Sequence, residues 1–232
     1  MALPKIDKPL FNIELPILNQ KGKFRPYQVK EEKILLLAQQ SEEFDQIVLA
    51  TKQIITNCMQ EGDIDIDKLP SWAIEWILLQ LRIRSVGESV KAKFRDKEDQ
   101  EIYEFDIPLD EIKLTVDPEH TNSFHITEDI GLVMNYPTLE MAQYFVADDT
   151  DSNYNAIRSC IKQVFTDDEV MEFQNHDEEE QINFIEQLGQ KEMAKVINFF
   201  DTAPSVKYTI DYTNSKGTKR VLELNTLTDF FT

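Results

Sequence analysis

The longest apolar pattern in the chain runs from Asp63 to Glu88, DIDIDKLPSWAIEWILLQLRIRSVGE. At ~100° per residue, Ser71, Glu75 and Arg82 share one narrow sector, and tryptophan, isoleucine and leucine cover nearly all the rest. A helix that apolar must be enclosed, so the stretch predicts the central helix of a packed domain. Ahead of it, Ile64 and Ile66 alternate with Asp63, Asp65 and Asp67, which predicts an acidic turn with the isoleucines inward and Asp67 capping the helix.

Other segments change period. Phe11, Ile13 and Leu15 alternate with polar neighbours, then a turn at Asn19–Gly22 leads to Lys23-Phe-Arg-Pro, a short edge hairpin bounded by Pro16 and Pro26. Helices are predicted from Val29, with Glu31 and Glu32 in the first turn, and from Glu42 to Gln60, ended by Gly62. Val90, Ala92 and Phe94 alternate up to a charged tip at Arg95–Gln100 and return on Phe105 and Ile107, a hairpin. Strand-like runs at Ile112–Val116 and Ile130–Tyr136 are expected to join it in a small antiparallel sheet. Helices follow over Leu139–Phe145, Tyr154–Phe165, Asp177–Leu188 and Lys191–Asp201, with Asp177 and Glu180 at capping-box spacing. A second hairpin, VKYTIDY and KRVLEL about the turn TNSKGT, precedes an apolar tail containing Leu227, Phe230 and Phe231.

These elements predict an α+β protein with a mainly helical core and small antiparallel β-hairpins. The polar run Asp148-Asp-Thr-Asp-Ser152 is the expected boundary between a mixed part, 1–147, and a helical part with a terminal hairpin, 148–232, or else lies within one continuous domain.

Composition narrows the classes. At 41% hydrophobic and 29% charged over 232 residues, the chain can bury a core. The two prolines early in the sequence interrupt any signal-peptide apolar region, and no run reaches the ~20 apolar residues of a membrane span. Cys58 and Cys160 each sit in an apolar pattern and are expected as buried free thiols. The net charge of −19 is uneven: residues 1–95 hold 14 Lys+Arg against 13 Asp+Glu, and residues 96–232 hold 10 against 30. Such a surface repels nucleic acid and anionic membranes and favours a basic protein partner.

Candidate chemistry is sparse. Asp63, Asp65 and Asp67 imitate the first half of a calcium loop, but Lys68 stands where glycine and Ile74 where the bidentate glutamate belong. Asp148, Asp149, Asp151 and Asn153 lack the same partners and suit a solvated loop. His120, His125 and His176 have no metal-ligand spacing, and the six glycines form no phosphate loop. Lys21, Lys23 and Arg25 beside Phe24 and Tyr27 fit a solvated strand face better than nucleic-acid contact. No catalytic, cofactor-binding or metal-binding residue is expected. The candidate partner-binding residues are Phe230, Phe231, Asp148, Asp149 and Asp151. The phenylalanines dock either in the chain's own core or in a neighbouring subunit, leaving a homo-oligomer open.

The blocks RPYQVKEEKILLLAQQ, IITNCMQEGDIDIDKLPSWAIEWILLQLRIRSVGES, IGLVMNYPTLE and INFFDTAPSVKYTIDYTNSKGTKRVLELNTLTDFF resemble the baseplate hub proteins of T4-type contractile-tailed bacteriophages. That family includes the hub subunit and the hub assembly factor. Some members resemble zinc ribbons, with a Cys-x-x-Cys pair at a hairpin turn; here the tip Arg95–Gln100 and the turn Thr213–Thr218 hold no cysteine, and ligand count excludes zinc there. The resemblance implies a non-enzymatic role in building the tail hub in the host cytoplasm, with other hub or tail proteins as partners.

Overall fold

The computed structural model describes residues 6–41, 43–141, 144 and 150–224. The chain divides into two compact units: the first runs up to Thr115 and resumes at Ser205, and the second is Val116–Pro204. The expected boundary at Asp148–Ser152 falls inside the second unit, where residues 145–149 lie outside the described ones.

In the first unit, β1 (Phe11–Leu15) and β2 (Gln20–Phe24) pair antiparallel from Phe11↔Phe24 to Leu15↔Gln20. Ile13, Leu15 and Phe24 turn inward, as the alternation requires. Helices α1 (Val29–Ser41) and α2 (Phe44–Cys58) follow as an antiparallel pair. Gly62 does not end α2: the helix stops at Cys58, and β3 (Met59–Gly62) joins β2 as a third strand. Glycine is required there for another reason. Gly62 has φ 127° and faces Gly22, whose Cα and whose neighbouring Lys21 carbonyl a Cβ at 62 would strike. Arg25 and Glu31 fasten this corner: Arg25 Nη2 lies 2.8 Å from Oε1 of the fully buried Glu31 and 3.0 Å from the Asn57 carbonyl. Glu31 Oε2 also accepts the Gln28 amide at 2.9 Å, so one carboxylate starts α1 and ties it to the end of α2.

Helix α3 (Ser71–Ser85) is the enclosed helix that its sequence predicts, with Trp72, Ala73, Ile74, Ile77, Leu79 and Leu81 buried. Asp67 does not cap it. The residue before the helix is Pro70, while the Asp65 carboxylate accepts the Asp67 amide in a 3-10 turn over Ile66–Lys68. Beyond α3, β4 (Ser89–Arg95) and β5 (Ile102–Pro108) form the expected hairpin as a separate two-stranded ribbon. The next strand, β6 (Lys113–Thr115), pairs with neither of them. It pairs with β11 (Ser205–Thr213), which in turn pairs with β12 (Lys219–Leu224). Leu79, Ile107, Leu109, Ile112, Val206 and Leu224 form one core from these elements.

The second unit is a four-stranded antiparallel sheet, ordered β10-β9-β8-β7, with helices. Its strands are β7 (Ser123–His125), β8 (Gly131–Met134), β9 (Ile161–Phe165) and β10 (Val170–Glu172). Its helices are α4 (Thr150–Cys160), α5 (Glu178–Glu186) and α6 (Gln190–Thr202). Asp177 caps α5 by accepting the Glu180 amide at 2.9 Å. Leu132, Met134, Cys160, Ile161, Val196 and Phe199 lie at the centre of its core. Cys58 and Cys160 are buried free thiols, and burial pushes them up to about 11 and about 12.

A mainly helical core is therefore not what this sequence builds. The described residues contain twelve strands in four antiparallel sheets beside six α-helices, a mixed α+β fold. The difference has three sources. Strands β7 and β10 are too short, at 3 residues each, to show a period. The helix expected over Tyr154–Phe165 ends at Cys160, and Ile161–Phe165 is the sheet-centre strand β9, whose apolar residues extend the helical spacing by coincidence. The single sheet expected from residues 90–136 is three separate pairings.

Candidate docking surface

Two arrangements concentrate polar chemistry, one in each unit. In the first, the tip of β4–β5 meets the turn of β11–β12. Asp96, 1% exposed, accepts the Glu98 and Asp99 amides on Oδ1 at 2.7 and 3.2 Å, and the Tyr212 hydroxyl and the Arg220 guanidinium face Oδ2. Asp99 Oδ2 accepts from the Tyr103 hydroxyl at 2.6 Å, the Ser215 amide at 2.9 Å and the Ser215 hydroxyl at 2.8 Å. Asn214 donates to Glu98 Oε2 at 2.8 Å while its own Oδ1 accepts the Lys216 and Thr218 amides, a turn that Gly217 completes at φ 82°. Beneath, the Tyr103 and Phe105 rings lie 5.0 and 5.3 Å from Tyr212. The Tyr212 hydrogen bond and the Glu98 and Asp99 amides hold Asp96 well below the usual carboxylate range despite desolvation. Desolvation also opposes the lowering of Asp99, but the Tyr103 hydroxyl, the Glu101 amide and Ser215 outweigh it and hold Asp99 at about 2. Burial and the Asp96 charge push Tyr212 up to about 12. The two turns that hold no cysteine are thus joined by carboxylates and hydroxyls. This is a structural clasp, its donors and acceptors turned toward one another.

The second unit presents a surface of another kind. It carries 19 Asp+Glu against 4 Lys+Arg, a net −15, which leaves −4 of the chain's −19 for the first unit. The acidity is not a property of the whole C-terminal stretch but of this unit. On it, α4, α5 and α6 leave a groove of about 900 Å³. Tyr154, Ile182 and Ile197 line it while 45%, 39% and 47% exposed, and Met193 lies with them. Glu178 and Glu186 stand in its walls, and Arg158 within it is already bound to Glu178 at 2.7 Å. Ile185, which also lines it, belongs to the core of the unit.

Of the residues expected to bind a partner, Phe230, Phe231, Asp148 and Asp149 lie outside the described residues. Asp151 falls in the first turn of α4, and its side chain lies outside the described ones. The acidic turn before α3 is absorbed locally: Asp65 pairs with Lys68 at 2.8 Å and Asp67 with Lys52 at 3.3 Å. Of the basic cluster, Lys23 is paired with Glu61 and Arg25 with Glu31. His120 sits between the Thr202 and Tyr136 hydroxyls at 2.8 and 2.9 Å, and burial lowers its affinity for a proton. Among the described residues no group of three His, Cys, Asp or Glu side chains is placed to hold a metal ion, and no helix is long and apolar enough to cross a membrane. The groove residues went unrecognised because Ile182 and Ile197 read as ordinary members of apolar helix stripes.

Fold and surface define a class: a two-unit α+β protein whose second unit is strongly acidic and carries an apolar groove. Over residues 8–232 the sequence matches the family model described as T4 bacteriophage base plate protein, and the chain belongs to that family. It is a phage tail baseplate protein with a structural or assembly role. No curated protein and no solved structure matches it.

Proposed function

We propose that this chain is a non-enzymatic structural subunit or assembly factor of the central baseplate hub, working by protein docking in the infected cell's cytoplasm. The observation that carries the reading is the confinement of charge: 19 acidic residues against 4 basic ones on the unit that also exposes an apolar groove. A negative field steers a basic partner, and desolvated apolar contacts then hold it. Association with other baseplate proteins of the same phage should therefore weaken as salt shortens the Debye length from about 30 Å at 0.01 M to about 10 Å at 0.1 M. Binding indifferent to salt over that range removes the steering argument. The same acidic unit also suits a chaperone that shields a partner's basic surface and leaves before the particle is complete. Mass spectrometry of purified virions separates the two, a stoichiometric chain indicating a subunit and its absence a chaperone.

A further inference from the structure

We infer that the groove between α4, α5 and α6 receives a basic amphipathic helix from another baseplate protein, an inference that rests on the docking reading above. Three of the exposed large apolar side chains of the second unit, Tyr154, Ile182 and Ile197, converge on this one depression. A cavity of about 900 Å³ admits several large aliphatic or aromatic anchors. Its walls are helices, so it offers no open strand edge for an extended peptide. The complementary shape is a helix inserting residues at i, i+3 or i+4 and i+7.

Charge selects the sequence of that helix. Glu178 and Glu186 border the groove, on a unit that carries a net −15. The one lining cation among the described residues, Arg158, and Glu178 neutralise each other at 2.7 Å, so the lining's net charge is the single negative charge of Glu186, set in the field of the whole unit. Lysine or arginine flanking the apolar stripe of an incoming helix would meet this field, whereas acidic flanks would be repelled. A second copy of the chain is a poor occupant, because it would bring another unit of net −15 against the first. Phosphate-bearing ligands are disfavoured on the same ground.

The test pairs the intact chain with each of the other baseplate proteins of the same phage in turn and measures affinity. The variants are Ile182→Glu/Ile197→Glu in the groove and Val170→Glu, at an exposed position on β10 outside it. Both groove positions are exposed, so circular dichroism should show the fold unchanged. For the partner that binds, the groove variant should weaken binding by about tenfold or more, while V170E stays within about twofold. Zero-length carboxyl-to-amine coupling should join Glu178 or Glu186 to lysines spaced along one helix of that partner. If the wild type binds none of these proteins, the docking reading and this inference both fall. If it binds and the groove variant binds equally well, the groove is wrong and the docking reading stands. Couplings that map to a non-helical segment, or self-association abolished by the groove substitutions, overturn the stated occupant.

Discussion

Glu75 provides the sharpest energetic test of the enclosed helix. It lies on α3 between the buried Ile74 and the partly buried Trp76, and burial alone pushes its carboxyl from an ordinary 4.5 up to about 7. Between those values the folded chain holds a proton that the unfolded chain releases, so stability falls as pH rises through the window and levels off above pH 7. Ionising Glu75 in the fold thus costs about 3 kcal/mol at pH 8 and under about 1 kcal/mol at pH 5. Glu75→Gln removes the titration and keeps the shape. Its stability advantage over wild type should grow by about 2.5 kcal/mol between pH 5 and pH 8, a difference from which any fixed effect of the amide cancels. Urea unfolding followed by tryptophan fluorescence reads this directly, because both tryptophans, Trp72 and Trp76, stand on α3 itself. An advantage that is the same at both pH values would show that Glu75 is solvated or paired, and that the polar edge of α3 is not enclosed.

Three further outcomes follow from the packing. Arg25→Met leaves the Glu31 carboxylate buried without its guanidinium and should cost about 3 kcal/mol in chemical denaturation, most of it recovered in the double variant Arg25→Met/Glu31→Leu. In the clasp, the depressed Asp96 and Asp99 stabilise the fold above the ordinary aspartate value of 3.8 and lose that contribution as pH falls toward about 2. Asp96→Asn should lower the melting temperature at pH 7 and flatten its decline between pH 4 and pH 2, as followed by thermal melts. A Cβ at Gly131 would enter the ring of its cross-strand neighbour Phe165, so Gly131→Ala should destabilise by about 1–3 kcal/mol and be partly rescued by Phe165→Leu.

What could be read in the sequence was whatever is encoded by near neighbours. Residues 71–85 fix α3 through continuous apolarity, Val90, Ala92 and Phe94 fix the face of β4, and Asp177 fixes the start of α5 through one side-chain bond. Pairings across long separations left no such trace. β6 and β11 meet through only three residue pairs, and the Tyr212 hydroxyl reaches Asp96 across 116 positions. Both belong to strands whose own alternation says nothing of the partner. Nor did periodicity separate α4 from β9, since Cys160 and Ile161 are buried under either geometry. The acidic half identified from charge alone was also coarser than the real distribution, because β11 and β12 return to the less charged unit.

The pairing of Thr115 with Ser205 means that the acidic unit leaves and rejoins the chain at two cross-strand neighbours. Topologically it is a cassette on a closed stem, and a short turn could replace it while β6 and β11 remain a hairpin. The order of synthesis has a corollary. Every residue of the cassette leaves the ribosome before β11 exists, so the acidic unit can fold while the three-stranded sheet of the first unit is still missing a strand.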